Sequence, residues 1–284
     1  MILVTGAAGK TGRAITKALA ARNIDTRALV RRSEQVVELK KDGAADALIG
    51  DMVDADTYLR AMRGIKAVYH ICPNMHPSEI EIGRLAINAA CEFDLDHFVY
   101  HSVLHPQTEK MPHHWQKMRV EELLFESGLK FTILQPAPYM QNILAGIKTI
   151  LNHGLYRVPY HLETRLSMLD LEDLGEIAAT VMTEPGHMGA VYEIAGIAGL
   201  TQAEVAAIIG DTLGQRVVVE EIPIDNWRRE AKESGMGPYQ LETLAKMFDY
   251  YANYGLCGSS NVLRWLLGRE PTSLSSFINR EFAK

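Results

Sequence analysis

The sequence predicts an α/β fold: a doubly wound parallel sheet with a smaller, mostly helical lobe in the C-terminal part. Three observations carry this. Strand-like apolar runs alternate with amphipathic helical stretches over the first 135 residues. The runs are continuously apolar, as strands covered on both faces are. A turn punctuated by glycines joins the first run to the first helix.

The elements follow in order. Residues 2–4 form a first strand, and an Ala-rich helix runs from about Thr11 to Arg22. Thr26–Val30 is a second strand, and residues 47–51 end a third. Helix, strand, helix and strand then fall at about 54–62, 67–71, 78–92 and 97–102. A helix at about 113–127 leads to a sixth strand at 131–134. The alternation loosens after Gln135-Pro136-Ala137-Pro138, with a helix starting near Tyr139 and strands at 191–194 and 217–222. Residues 225–267 read as mostly helical. Residues 1–135 are expected to form one domain, with a segment near 165–197 returning to it, and 136–284 mainly a substrate lobe. Ligands of open α/β sheets bind outside the carboxyl ends of the strands, so an active cleft is expected between those ends and the lobe.

The first turn reads Thr5-Gly6-Ala7-Ala8-Gly9-Lys10-Thr11-Gly12. Gly6 permits a sharp exit from the strand, Gly9 lets a phosphate approach the backbone, and Gly12 lets the helix pack on the sheet. The helix start offers free N–H groups and a positive dipole end to an anion. This pattern predicts a Rossmann-type dinucleotide site rather than an ordinary βα turn. An NAD site usually carries an acid after the second strand; here stand Arg31-Arg32-Ser33. A guanidinium pairs with a 2′-phosphate that a carboxylate would repel. NADP(H) is therefore expected over NAD(H); Lys10 can add positive charge near the phosphates or point into solvent.

Composition narrows the class. The 284 residues are 47% hydrophobic, enough for a sizeable core, and the net charge of −6 argues against a nucleic-acid binder. No membrane run or leader peptide is read, so a cytoplasmic protein without membrane partners is expected. The sequence admits a homodimer. Cys72, Cys91 and Cys257 have neither disulfide-framework nor metal spacing. The ten histidines include His101 and His105, but these straddle a strand end and Pro106, so no metal is expected.

Taken in order, the motifs resemble the NmrA-like group of atypical short-chain dehydrogenase/reductases, over nearly the whole chain. The opening matches T-G-A-x-G-x-x-G, Val30-Arg31-Arg32 a basic strand end, and Gly50-Asp51-Met52-Val53-Asp54 a G-D-x-x-D. Residues 127–136 resemble S-G-L-x-x-T-x-L-R-P, with Gln135 in place of Arg; Tyr139-Met140-Gln141-Asn142 resembles F-M-x-N. Residues 271–277 resemble the closing segment, and the chain looks most similar to bacterial NADPH-dependent quinone and dye reductases. The resemblance implies a cofactor site from Gly6, Ala8, Gly9, Lys10, Thr11 and Gly12, with Arg31 and Arg32 at the 2′-phosphate. It sets Asp51, beside Met52, at the adenine, and Ile71, Cys72 and Pro73 near the ribose or pyrophosphate. It sets Lys117 at the nicotinamide ribose and Tyr139 and Asn142 at the substrate.

Catalysis departs from the usual Tyr-x-x-x-Lys, in which both side chains share one helix face. Lys117 is present, but His113 stands where the Tyr belongs. His113 can donate a proton near neutral pH or can merely line the cleft. Ser102, at the fifth strand end, can bond a substrate oxygen or serve structurally. Tyr139, Trp227, Tyr250 and Tyr254 can wall an aromatic pocket, although such residues at helical spacing are commonly core. Two functions stay open: hydride transfer to a quinone-like or other conjugated acceptor, and non-catalytic NADP(H) sensing of the NmrA type.

Overall fold

The computed structural model describes residues 1–282. Its first elements are β1 (Ile2–Val4), α1 (Lys10–Ala21), β2 (Thr26–Val30), α2 (Ser33–Lys41) and β3 (Asp46–Ile49). Next come α3 (Ala55–Ala61), β4 (Ala67–His70), α4 (Glu79–Glu92), β5 (His97–His101), α5 (Pro112–Glu126) and β6 (Phe131–Pro136). A 3₁₀ segment at Met140–Gly146 precedes α6 (Ile147–His153), β7 (Leu155–Val158), α7 (Leu171–Thr183) and β8 (Val191–Ile194). The chain continues through α8 (Gln202–Leu213), β9 (Val218–Glu221), α9 (Ile224–Glu233), α10 (Pro238–Tyr254), α11 (Asn261–Leu267) and α12 (Leu274–Phe282).

Two compact units result. The first takes residues 1–107, 113–136 and 171–192; the second holds the other described residues. The main sheet has the order β3-β2-β1-β4-β5-β6-β8, and every neighbouring pair from β3 to β6 is parallel. The order reverses at β1, which lies between β2 and β4. That reversal opens a crevice outside the carboxyl ends of β1 and β4, the usual ligand position in such sheets.

The first unit's core explains the unbroken apolar runs. Leu3, Val68, Phe98, Tyr100 and Ile133 from the strands pack with Tyr58, Met62, Val120 and Leu124 from the helices, all with no exposed surface. Each such side chain contributes about 1.5–3 kcal/mol relative to exposure. Helices α1 and α7 lie close together: a Cβ on Gly175 would stand 2.9 Å from the Ala14 carbonyl oxygen.

The second unit has its own core, with Met140, Ile150, Val205, Ile209 and Phe277 at its centre. Its small sheet pairs β7 with β9 in parallel. Helix α8 starts at a capping box in which Thr201 and Glu204 bond each other's backbone N–H, at 3.1 and 2.7 Å. The sequence reading assigns no strand to residues 155–158; four residues of which only two are buried leave only a faint apolar signal. No helix among the described residues is long and apolar enough to cross a membrane.

Candidate functional site

The glycine loop sits at the crevice. Gly6 has φ +57°, and a Cβ there would lie 2.8 Å from the Ile71 carbonyl oxygen. At Gly12 a Cβ would lie 2.5 Å from both Ala7 Cα and the Gly6 oxygen. Those two glycines answer to the protein's own packing. Gly9 does not: its backbone is extended (φ −74°, ψ 164°), and a Cβ would meet only the Gly6 oxygen, at 3.4 Å. Arg13 is the first residue whose N–H bonds back into the helix, to Gly9, so the N–H groups of Lys10, Thr11 and Gly12 remain for a ligand. The first turn of α1 contains no acid, so its positive end is uncompensated.

The end of β2 supplies two exposed cations. The Arg31 and Arg32 backbone N–H groups donate to Gln35 Oε1, at 3.1 and 3.0 Å, which fixes the turn. Both guanidinium groups are exposed. Arg31 Nε stands 3.8 Å from Asp51 Oδ2 and Arg32 Nε 3.6 Å from Glu34 Oε1, loose pairs in water. Asp51 also accepts from the Val53 N–H, at 3.3 Å, while Met52 packs against the core.

Strands β1 and β4 are latched by Thr5. Its hydroxyl donates to the Ile71 carbonyl at 3.0 Å and accepts the Ile71 N–H at 2.8 Å. His70 Nδ1 lies 3.0 Å from the same hydroxyl. Ile71 and Cys72 are buried beyond the end of β4, with Pro73 half-buried. Burial and the nearby Glu79 carboxylate hold the Cys72 thiol well above its ordinary pKa, so it stays protonated.

Lys117 is half-buried and engaged. Its ammonium donates to Glu79 Oε1 at 2.9 Å and to the His101 carbonyl at 3.2 Å. It lies 5.4 Å from the centre of the Tyr100 ring, whose hydroxyl donates to the same Glu79 oxygen at 3.1 Å. His113, one turn earlier on α5, is buried edge-on to His114 with ring centres 4.4 Å apart. Its Nδ1 is buried without a hydrogen-bond partner. Burial, then His114 and Lys117, push its pKa well below the ordinary value, so the imidazole is neutral at neutral pH.

Ser102 is engaged as well. Its hydroxyl donates to Glu121 Oε1, and the Gln135 amide donates to Glu121 Oε1 and Oε2, at 3.0 and 2.9 Å. Glu121 is buried, and desolvation outweighs these bonds, so its pKa is raised.

The crevice thus brings together Gly6, Ala8, Gly9, Lys10, Thr11, Gly12, Ile71, Cys72 and Pro73 from the loops after β1 and β4. Lys117, His113 and Ser102 come from α5 and the end of β5. Tyr139, Asn142, Trp227, Tyr250 and Tyr254 belong to the second unit. Asn142 is exposed in the 3₁₀ segment, and Trp227 packs on Phe248 with ring centres 4.8 Å apart. The sequence reading misses Glu79, Thr5 and Glu121. Glu121 had a signal, being one helical turn after Lys117; Glu79 had only its place at a helix start. No group of three or more His, Cys, Asp or Glu side chains suited to a metal occurs among the described residues.

The NmrA-like family model matches residues 1–281. The chain belongs to the NmrA-like family. It is 26% identical to the NAD(P)H azoreductase of Xenophilus azovorans over 98% of this chain and 96% of that one. It is 25% identical to quinone oxidoreductase 2 of Escherichia coli over 99% of both. A solved structure of the Escherichia coli NADPH-dependent quinone oxidoreductase with NADPH superposes with TM-score 0.86, at 25% identity over 99% of this chain and all of that one. The triphenylmethane reductase of Citrobacter sp. shares the fold, with TM-score 0.84 at 21% identity over 99% of each chain. Within this NmrA-like chain, Gln135 and His113 remain departures from the motifs discussed above.

Proposed function

We propose that this chain is an NADP(H)-dependent reductase that passes hydride to a quinone-like or other conjugated small-molecule acceptor. Gly9 carries the reading. The protein's own packing does not require glycine there, whereas a pyrophosphate lying on the loop does. The relatives named for NAD(P)H, quinone and azo chemistry support the same class.

The pyrophosphate would take the free N–H groups of Lys10, Thr11 and Gly12, and Arg31 and Arg32 would pair with the 2′-phosphate. A bound nicotinamide supplies the hydride. Lys117 holds the nicotinamide ribose. His113 is neutral and Ser102 is committed to Glu121, so neither is a ready proton donor at neutral pH. A quinone accepts hydride readily and takes its proton from water, so the protein's task is to align donor and acceptor.

The test is NADPH oxidation followed by absorbance with a panel of quinones, azo dyes and aldehydes, beside NADPH titration. Turnover with at least one conjugated acceptor is expected. Tight NADPH binding without turnover on any of them would overturn the reading and leave cofactor sensing.

A further inference from the structure

Glu79 is a buried carboxylate with no part in the hydride-transfer scheme so far. It lies in the first turn of α4 and is 2% exposed. Its Oε1 takes hydrogen bonds from Lys117 Nζ at 2.9 Å and from the Tyr100 hydroxyl at 3.1 Å. One side chain thereby ties the body of β5 to α5. The positive end of α4 favours its negative charge.

An ammonium has three hydrogens to donate. Glu79 and the His101 carbonyl take two of those on Lys117, and no third acceptor is found among the described residues. The Tyr100 ring, 5.4 Å from Nζ, closes another side. A lysine stem is flexible and its charge has no preferred direction of its own. Here two fixed acceptors leave one hydrogen with one direction.

We propose that Glu79 is the positioning residue of this site: it fixes the Lys117 ammonium so that its uncommitted N–H meets the nicotinamide ribose. The inference rests on the NADPH-reductase reading. Glu79 touches neither cofactor nor acceptor; it acts through Lys117. Without that carboxylate, the ammonium would sit in a half-buried place with only a carbonyl for company, and would shift toward water.

The experiment is a double-mutant cycle of Glu79→Gln and Lys117→Ala in the full chain. NADPH dissociation constants are measured by calorimetry, and kcat with a water-soluble benzoquinone. Glu79→Gln is expected to lose about tenfold in NADPH affinity and roughly ten- to a hundredfold in kcat. In the Lys117→Ala background the same change should cost less than about twofold, because its route is gone. Glu79→Asp, which keeps the charge, should recover part of the loss. Additive losses, or no loss from Glu79→Gln, would overturn the positioning role while leaving the reductase intact. A wild type that neither binds NADPH nor reduces the quinone would overturn the reductase, and this inference with it. Should Glu79→Gln not fold, Tyr100→Phe removes one hydrogen bond to the same oxygen and is judged by the same cycle.

Discussion

Gln135 donates its amide to both carboxylate oxygens of Glu121, at 3.0 and 2.9 Å, and Ser102 donates its hydroxyl to one of them. All three bonds come from uncharged donors. Burial is the largest influence on Glu121, and its pKa is raised. The native state therefore keeps a proton that the unfolded chain has released. A raised carboxyl pKa gives stability that is complete below the unfolded value and is lost as pH rises through the folded one. Glu121→Gln removes this dependence. Its stability relative to wild type should improve as pH rises above the ordinary glutamate value of 4.5, by at most about 1.4 kcal/mol per pH unit. Urea unfolding of both proteins at several pH values measures it. A gap independent of pH would show that Glu121 is charged throughout.

The buried histidines predict the opposite slope. Burial, with a smaller push from Lys117, lowers His70 and His101 to about 3, and burial lowers His114 to about 4. The native state holds them neutral while the unfolded chain protonates them near 6.5. Their contribution is intact above that value and falls as pH drops through the window down to 3–4. With His97, also lowered to about 4 by burial, and His113, five such groups remove up to about 7 kcal/mol per pH unit between them. His70→Gln should lessen that slope by roughly a fifth. Denaturation midpoints at pH 7, 6 and 5 that do not fall would contradict the neutral assignment.

Gly9→Val tests the loop directly. The added Cβ meets nothing nearer than 3.4 Å, at the Gly6 oxygen, so the fold should survive. The methyl groups would stand where the pyrophosphate approaches the backbone. Circular dichroism should match wild type while calorimetry shows NADPH binding reduced at least about a hundredfold, the equivalent of two or more lost charge-assisted contacts. Retained affinity would make the loop a turn and nothing more.

Arg31 and Arg32 predict cofactor choice. Neither guanidinium has a firm partner: the nearest carboxylate oxygens are 3.8 and 3.6 Å away. Arg31→Ala should weaken NADPH by roughly 1.5–3 kcal/mol and leave NADH nearly unchanged, since only NADPH has the 2′-phosphate. Equal affinity of wild type for both cofactors would remove the basis for this.

Legibility in the sequence follows from the range of each interaction. The strands through β6 are readable because continuous apolar runs report burial on both faces. The glycine turn is readable because its chemistry is local. The short β7 is not, since its partner β9 lies some sixty residues on and only two of its four side chains are buried. Lys117 and His113 are legible by helical spacing, but their environment is not. Glu79 reaches Lys117 across 38 residues of sequence, and Gln135 reaches Glu121 from the next strand. Nothing in residues 113–117 alone says that His113 is desolvated beside His114, and that decides its charge.

His113 and Lys117 therefore give the most discriminating experiment. They share a face of α5 in the spacing of Tyr-x-x-x-Lys, yet their surroundings differ. Lys117 is paired with Glu79, at 2.9 Å. His113 is neutral, and its buried Nδ1 has no partner. A neutral imidazole is a far weaker acid than an imidazolium, and an imidazolium would have to form in a site that expels charge. His113→Asn should then lower kcat by less than about tenfold, whereas a working proton donor is typically worth 10²–10⁴-fold. The profile of kcat against pH at saturating NADPH should show no limb near 6.5 belonging to His113, and none should vanish in the variant. Lys117→Ala should reduce both NADPH affinity and kcat, because it removes the contact that orients the ribose. A hundredfold loss in His113→Asn, with a limb that disappears alongside it, would assign the proton to His113. The site would then have exchanged a tyrosine for a histidine and kept the old division of labour.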